Sequence, residues 1–274
     1  MPIQSFKDLI HHEIETIPLD YAALLIAKEN CPDLDIEEYM KRLHQLGEAV
    51  RIRVGHVLGG HQIIEGYNRY FFEEQGFRGG LGNSQISTNH YLNDVLDNRR
   101  GSPISLSILY IEVGRRANIP LFGVNLPGHF IVKYCDPYTE IFIDPSHNGA
   151  FLSRTDCQDL IHHLYGEALP FQEDHLRAVT KKEILTQLMT QLKVQHSYEN
   201  NYERVLQMTN HIIALNPHDF EQTLARGLLF YQLECYPQAL VDFQHYLQMT
   251  PQSPKAPLIE EYISKLQDHV QIIH

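Results

Sequence analysis

His129 and Asp144 are the two residues whose types and spacing could move a proton. His129 opens the run Phe130-Ile131-Val132-Lys133-Tyr134, and Asp144 closes Glu140-Ile141-Phe142-Ile143. Between them Cys135-Asp136-Pro137-Tyr138-Thr139 has the composition of a turn. A hairpin centred between Asp136 and Pro137 sets His129 directly opposite Asp144, on one face, with Cβ atoms roughly 4.5–5.5 Å apart. At that range a carboxylate can hold one imidazole nitrogen and choose the tautomer, as acid–base and nucleophilic sites require. A slip of one residue would send the two side chains to opposite faces. Taken alone, the same residues also fit a strand-start histidine and an Asp-Pro turn.

The element that must position this pair is the segment just before it. Ser102 is a good N-cap and Pro103 is tolerated at the first helical position, because its missing N–H would have no helical partner. From Ile104 to Val113 the residues are apolar on nearly every side, which predicts a helix covered all round. Upstream, three helices are expected within residues 5–53. Ser5 and Asp8 start the first, Tyr21 to Asn30 form the second, and Asp35 caps a third running from Ile36 to about Val50. A glycine-rich passage from Gly55 to Asn83 carries only a short helical piece, Tyr67 to Phe72, and no phosphate-cradling pattern. After the hairpin, Ser153 and Asp156 open a helix through Tyr165, with Cys157 in its first turn as a structural cysteine. The composition changes near Glu173-Asp174-His175, and a 34-residue spacing then relates Tyr202 to Tyr236, Leu206 to Leu240, His211 to His245 and Pro217 to Pro251.

Several of these pieces together resemble a known family. A Gly-x-x helix start at Gly101-Ser102-Pro103, a helix ending at Asn118-Ile119-Pro120, then Gly128-His129-Phe130 and Phe142-Ile143-Asp144-Pro145, resemble the transglutaminase-like superfamily with its papain-like core. More narrowly the chain resembles the SirB family, in which such a core precedes tetratricopeptide (TPR) repeats; Ala22-Ala23-Leu24-Leu25-Ile26-Ala27 belongs to that likeness. The resemblance implies an α+β fold: a transglutaminase-like core, central helix on antiparallel sheet, with N-terminal helices and an all-α TPR tail. The expected domains are N-terminal helices packing on the core over 1–53, the core over 54–174, and helical repeats over 175–274. In the second repeat Gly227, Phe230, Ala239, Phe243, Tyr246 and Pro251 keep the TPR pattern, but Arg226 stands where a leucine is expected. In the first, Lys193 takes the place of the small residue.

The superfamily's chemistry uses a cysteine at the helix N-terminus, where the dipole and a histidine expose a thiolate. The histidine is the base and the aspartate orients it; by resemblance His129 and Asp144 fall on those positions. Counting back from Ile119-Pro120 puts Pro103 where the thiol belongs. The nearest hydroxyl inside the first turn is Ser105, with Ser102 as the cap. The expectation is therefore a non-catalytic pseudoenzyme that binds a protein or peptide through its cleft and TPR helices. The alternative is a Ser105–His129–Asp144 hydrolase or acyltransferase acting on an amide or peptide, in which Ser105 competes with its reading as an ordinary first-turn serine.

Composition narrows the partners. At 274 residues, with 43% hydrophobic and 20% charged residues, the chain has the make-up of a soluble globular protein. A formal charge of −12 argues against a nucleic-acid partner, and no window predicts a membrane span or signal peptide. Cys31, Cys135, Cys157 and Cys235 have no C-x-x-C spacing, so a reduced, cytoplasmic protein is expected. No cofactor is expected. No metal is expected either, since the pairs His11-His12, His56 with His61, and His162-His163 each lack a third ligand at plausible spacing.

Overall fold

The N-terminal helices form where their caps dictate. α1 (Phe6–Ile10) and α2 (Leu19–Asn30) are followed by α3 (Ile36–Val54), whose cap Asp35 accepts hydrogen bonds from the Glu37 and Glu38 amides. The computed structural model describes residues 5–10, 14–80 and 90–272. His11, His12, Gly82 and Asn83 lie outside the described residues.

The glycine-rich passage is more helical than its composition suggests. α4 (Gly60–Asn68) continues into a π-helical stretch, Arg69–Glu74, so one ordered segment replaces the short piece expected over 67–72. Packing explains it. A Cβ on Gly60 would lie 2.5 Å from the Tyr134 ring, and one on Gly66 would lie 3.3 Å from Val54, so these glycines are contact points within a helix rather than breaks in it.

Two-residue strands β1 (Arg78–Gly79) and β2 (Arg100–Gly101) pair in parallel on either side of α5 (Leu92–Asn98). α6 (Pro103–Arg116) then runs through the core, with every residue from Ile104 to Gly114 buried, as the all-round apolar pattern predicts. The strands β3 (Leu121–Leu126), β4 (His129–Cys135), β5 (Glu140–Asp144) and β6 (Ala150–Leu152) form one antiparallel meander in that order. α7 (Arg154–Tyr165) follows, opened by the Ser153–Asp156 capping box.

α6 approaches its neighbours through small residues. A Cβ on Gly114 would stand 2.4 Å from Leu121, and one on Gly47 of α3 would stand 2.3 Å from the Arg116 Cβ. Gly47→Ala gains helix propensity of about 1 kcal/mol. The overlap with Arg116 costs more, and we expect a net loss of about 1–2 kcal/mol by urea denaturation. A variant more stable than the parent would show that α3 and α6 can separate freely.

The chain from Lys181 to Ile272 is helical: α8 (Lys181–Tyr198), α9 (Tyr202–Leu215), α10 (Phe220–Gln232), α11 (Tyr236–Met249) and α12 (Ala256–Ile272). α9 and α11 have equal lengths and start 34 residues apart, matching the repeat. Gly227 lets α10 close on α11, since a Cβ there would be 2.9 Å from Phe243. The two compact units are 1–188 and 189–274, dividing within α8. Residues after the change in composition still bond to the core. The Val179 amide donates to the Gly123 carbonyl at 2.9 Å, and Lys181 Nζ donates to the Ile17 carbonyl at 2.9 Å.

Candidate functional site around His129 and Asp144

Two turns aim the candidate dyad. Pro127-Gly128 joins β3 to β4, with Leu126 paired to His129, and Gly128 has φ +77°, the value a type II turn needs after Pro. The turn is also pressed from outside: a Cβ on Gly128 would meet Leu164 of α7 at 2.6 Å. The positive φ is what calls for glycine, since the exposed Leu164 side chain can shift.

The second turn corrects the expected register. β4 and β5 pair as Cys135↔Glu140 and Val132↔Ile143, so the loop is Asp136 to Thr139 and the hairpin centre lies one residue later than expected. The cause is the Asp136 side chain. Its carboxylate accepts from the Tyr138 and Thr139 amides at 2.8 and 2.7 Å, closing a four-residue loop with Pro137 at its second position. Continuing that register puts Ile131, not His129, opposite Asp144. A two-residue shift keeps the face, so His129 becomes a diagonal neighbour still within side-chain reach. His129 Nε2 lies 2.7 Å from Asp144 Oδ2.

Asp144 is 3% exposed and accepts four hydrogen bonds. Oδ1 takes the Ser146 amide at 2.9 Å and the Ser146 hydroxyl at 2.6 Å; Oδ2 takes His129 Nε2 and His147 Nδ1, each at 2.7 Å. Burial alone would raise the carboxyl, but the His129 hydrogen bond and charge, the Ser146 hydroxyl and the His147 charge outweigh it and hold the group well below the usual carboxylate range. An ionised carboxylate only accepts, so Nε2 of His129 and Nδ1 of His147 carry the protons. The lone pair of a neutral His129 ring is therefore on Nδ1.

The turn bearing Ser146 and His147 is pinned from behind. Asn68 of α4 donates to the Gly149 carbonyl at 2.8 Å and accepts from the Tyr110 hydroxyl of α6 at 2.8 Å. Gly79 presses the other side, where a Cβ would stand 2.3 Å from the Ser146 carbonyl oxygen. Ser146 and His147 are the residues sequence reasoning missed. The signal present was Asp-x-x-His, a spacing that converges only when the chain after the strand makes a 3₁₀ turn, as Pro145–His147 does.

Ser102 caps α6 and Pro103 is its first residue. Ser105 is 1% exposed; its hydroxyl lies 2.8 Å from the Ser102 hydroxyl and donates to the Ser102 carbonyl at 3.2 Å. α6 covers the sheet face carrying Leu121, the strand partner of Tyr134. Strand alternation places His129 with Ile131 on the other face, where Ile131 and Phe142 pack on Cys157 and Ile161 of α7. His129 opens β4 and Asp144 closes β5, so the pair sits at one end of the sheet. Cys157 is fully buried, and burial together with the Asp156 charge pushes its thiol up to about 11. It is a core residue.

Among the described residues His129, Asp144 and His147 form a group whose ligand atoms all lie within 4.8 Å of one another. His56, His61, His162 and His163 are exposed and outside it. A cleft of about 650 Å³, lined by residues such as Arg51, His56, Asn118 and Tyr134, lies elsewhere and includes neither His129 nor Asp144.

The transglutaminase-like superfamily matches residues 37–190, and a tetratricopeptide repeat family matches residues 192–264. The chain is 31% identical over 258 residues to a UPF0162 protein of Xylella fastidiosa, covering 92% of this chain and 91% of that one. It is 26% identical to UPF0162 protein YchA of Escherichia coli, covering 98% and 100%, and 26% identical to protein SirB1 of Salmonella typhimurium, covering 97% and 99%. No solved structure matches. The chain belongs to the transglutaminase-like superfamily, in the SirB family that joins such a core to tetratricopeptide repeats.

Proposed function

We propose that this protein is a non-catalytic member of its superfamily, binding a protein or peptide through the core near His129 and Asp144 and through its TPR helices. The observation that carries this reading is Pro103 at the first position of α6. A thiolate mechanism needs its nucleophile there, and proline has neither a thiol nor an amide hydrogen to offer. Ser105, one turn in, is buried and hydrogen-bonded to Ser102. TPR repeats generally mediate protein–protein contacts, which supports a partner for the tail. The four cysteines are free and no described helix is long and apolar enough to cross a membrane, in keeping with a cytoplasmic setting.

One observation favours the other reading, a Ser105–His129–Asp144 hydrolase or acyltransferase on an amide or peptide. The 2.7 Å His129–Asp144 contact leaves Nδ1 able to take a proton. The test is labelling of the full chain with a broad serine-reactive phosphonate. We expect no stoichiometric adduct. Labelling that disappears in both Ser105→Ala and His129→Ala would establish the enzyme instead.

A further inference from the structure

We propose that His129, Asp144 and His147 form a binding site for one divalent transition-metal ion of the zinc class. The three ligand atoms, two imidazole nitrogens and one carboxylate oxygen, already lie within 4.8 Å of one another. A mixed nitrogen and oxygen donor set of this kind suits Zn²⁺, Co²⁺ or Ni²⁺ rather than Mg²⁺ or Ca²⁺, which prefer oxygen alone. Zinc holds such ligands at about 2.0–2.2 Å, so neighbouring donors around it stand about 3.3 Å apart. The present 2.7 Å contacts must open by about half an ångström for the ion to enter.

The surroundings allow that movement on one side and resist it on the other. His147 has a side chain 71% exposed in a surface turn and can swing. Asp144 cannot: Oδ1 is held by the Ser146 amide and hydroxyl, which leaves Oδ2 as a single, aimed ligand. This is the outer support that metal-binding carboxylates ordinarily have. Three protein ligands leave a fourth position for water, the pattern of an open site. Both histidines would bind through the nitrogens that now donate to Asp144. Each neutral ring must therefore move its proton to its other nitrogen through solvent, with no covalent bond to carbon formed or broken. The bound ion with one carboxylate leaves the site with a charge of about +1.

Metal ligation and the acid–base dyad use the same atom, His129 Nε2, so the two states exclude each other. The inference stands whether or not the binding reading above holds, because its readout is metal occupancy and not turnover.

The experiment is titration of the chelator-stripped full chain with Co²⁺, followed by its visible ligand-field absorption, and with Zn²⁺ in competition with a chromophoric chelator. We expect one equivalent of each ion, with affinity at least about 100-fold weaker in His147→Ala and about 10–100-fold weaker in Ser146→Ala. The double variant His162→Ala/His163→Ala, which removes an exposed pair outside the site, should bind as the parent does. His147 is exposed enough that its loss leaves folding intact, and circular dichroism checks this. The proposal is overturned if no single equivalent binds, if His147→Ala binds unchanged, or if the loss appears in the His162/His163 variant instead.

Discussion

Arg116→Met should lose about 3–5 kcal/mol of stability at pH 8. Arg116 bridges two buried carboxylates: its guanidinium lies 2.5 Å from Asp20 of α2 and 3.2 Å from Glu112 one turn back in α6. Glu112 also pairs with Arg115 at 2.8 Å, so Asp20 is the carboxylate that the substitution strands. The Asp20 and Glu112 side chains are 0% and 2% exposed, so solvent cannot take over the cation's role. Methionine keeps the stem that packs over Gly47 and removes only the charge and hydrogen bonds, which separates electrostatics from packing.

The sign of the pH dependence follows from Asp20. Burial and the Glu112 charge already raise its carboxyl to about 6, against the opposing pull of Arg116. A carboxyl raised in the folded state stabilises below its unfolded value and loses that contribution as pH rises through the folded value. Without the guanidinium the folded value climbs further. The penalty should therefore be smaller at pH 5 than at pH 8, in urea denaturation run at both. Equal penalties at the two pH values would mean that lost packing, not stranded charge, is the cost.

What the sequence revealed of this arrangement depended on how local each cause was. Ser102, Pro103 and the apolar run that follows carry their own start signal and pattern, so the start of α6 could be placed to the residue. The Ser153–Asp156 box was equally plain. The hairpin register was not, because Asp136 could serve as a strand end or as the residue that folds its carboxylate over the next two amides. The two choices differ by two residues and keep the same faces, so pattern alone could not separate them. His147 was invisible because its approach to Asp144 depends on a 3₁₀ turn. The division at 188–189 lay beyond composition, since Leu176 and Val179 are tied to the core, the Leu176 carbonyl by Lys133 Nζ and the Val179 amide by the Gly123 carbonyl.

Arg226 was the one position in the second repeat that broke its pattern, and the structure gives it a partner. Its Nε and Nη2 bond both oxygens of Asp242 in α11 at 2.8 and 2.7 Å, and Nη1 bonds Asn210 of α9 at 2.8 Å. Asp242 is 3% exposed, so the pair replaces an apolar contact with a forked ionic one at the same place. Arg226→Leu restores the repeat pattern on paper but strands a buried carboxylate. We expect it to cost about 2–4 kcal/mol, the lower end because Arg226 itself is a quarter exposed. Adding Asp242→Leu removes the stranded charge, and the double variant should recover most of the loss, since apolar residues of similar volume often match a buried pair. A double-mutant cycle in urea reads the coupling directly. If Arg226→Leu alone is neutral, the fork is ornamental and the repeat tolerates either solution. If the double variant is no better than the single, Arg226 acts through its stem and Asn210, and the pattern was broken for packing rather than for charge.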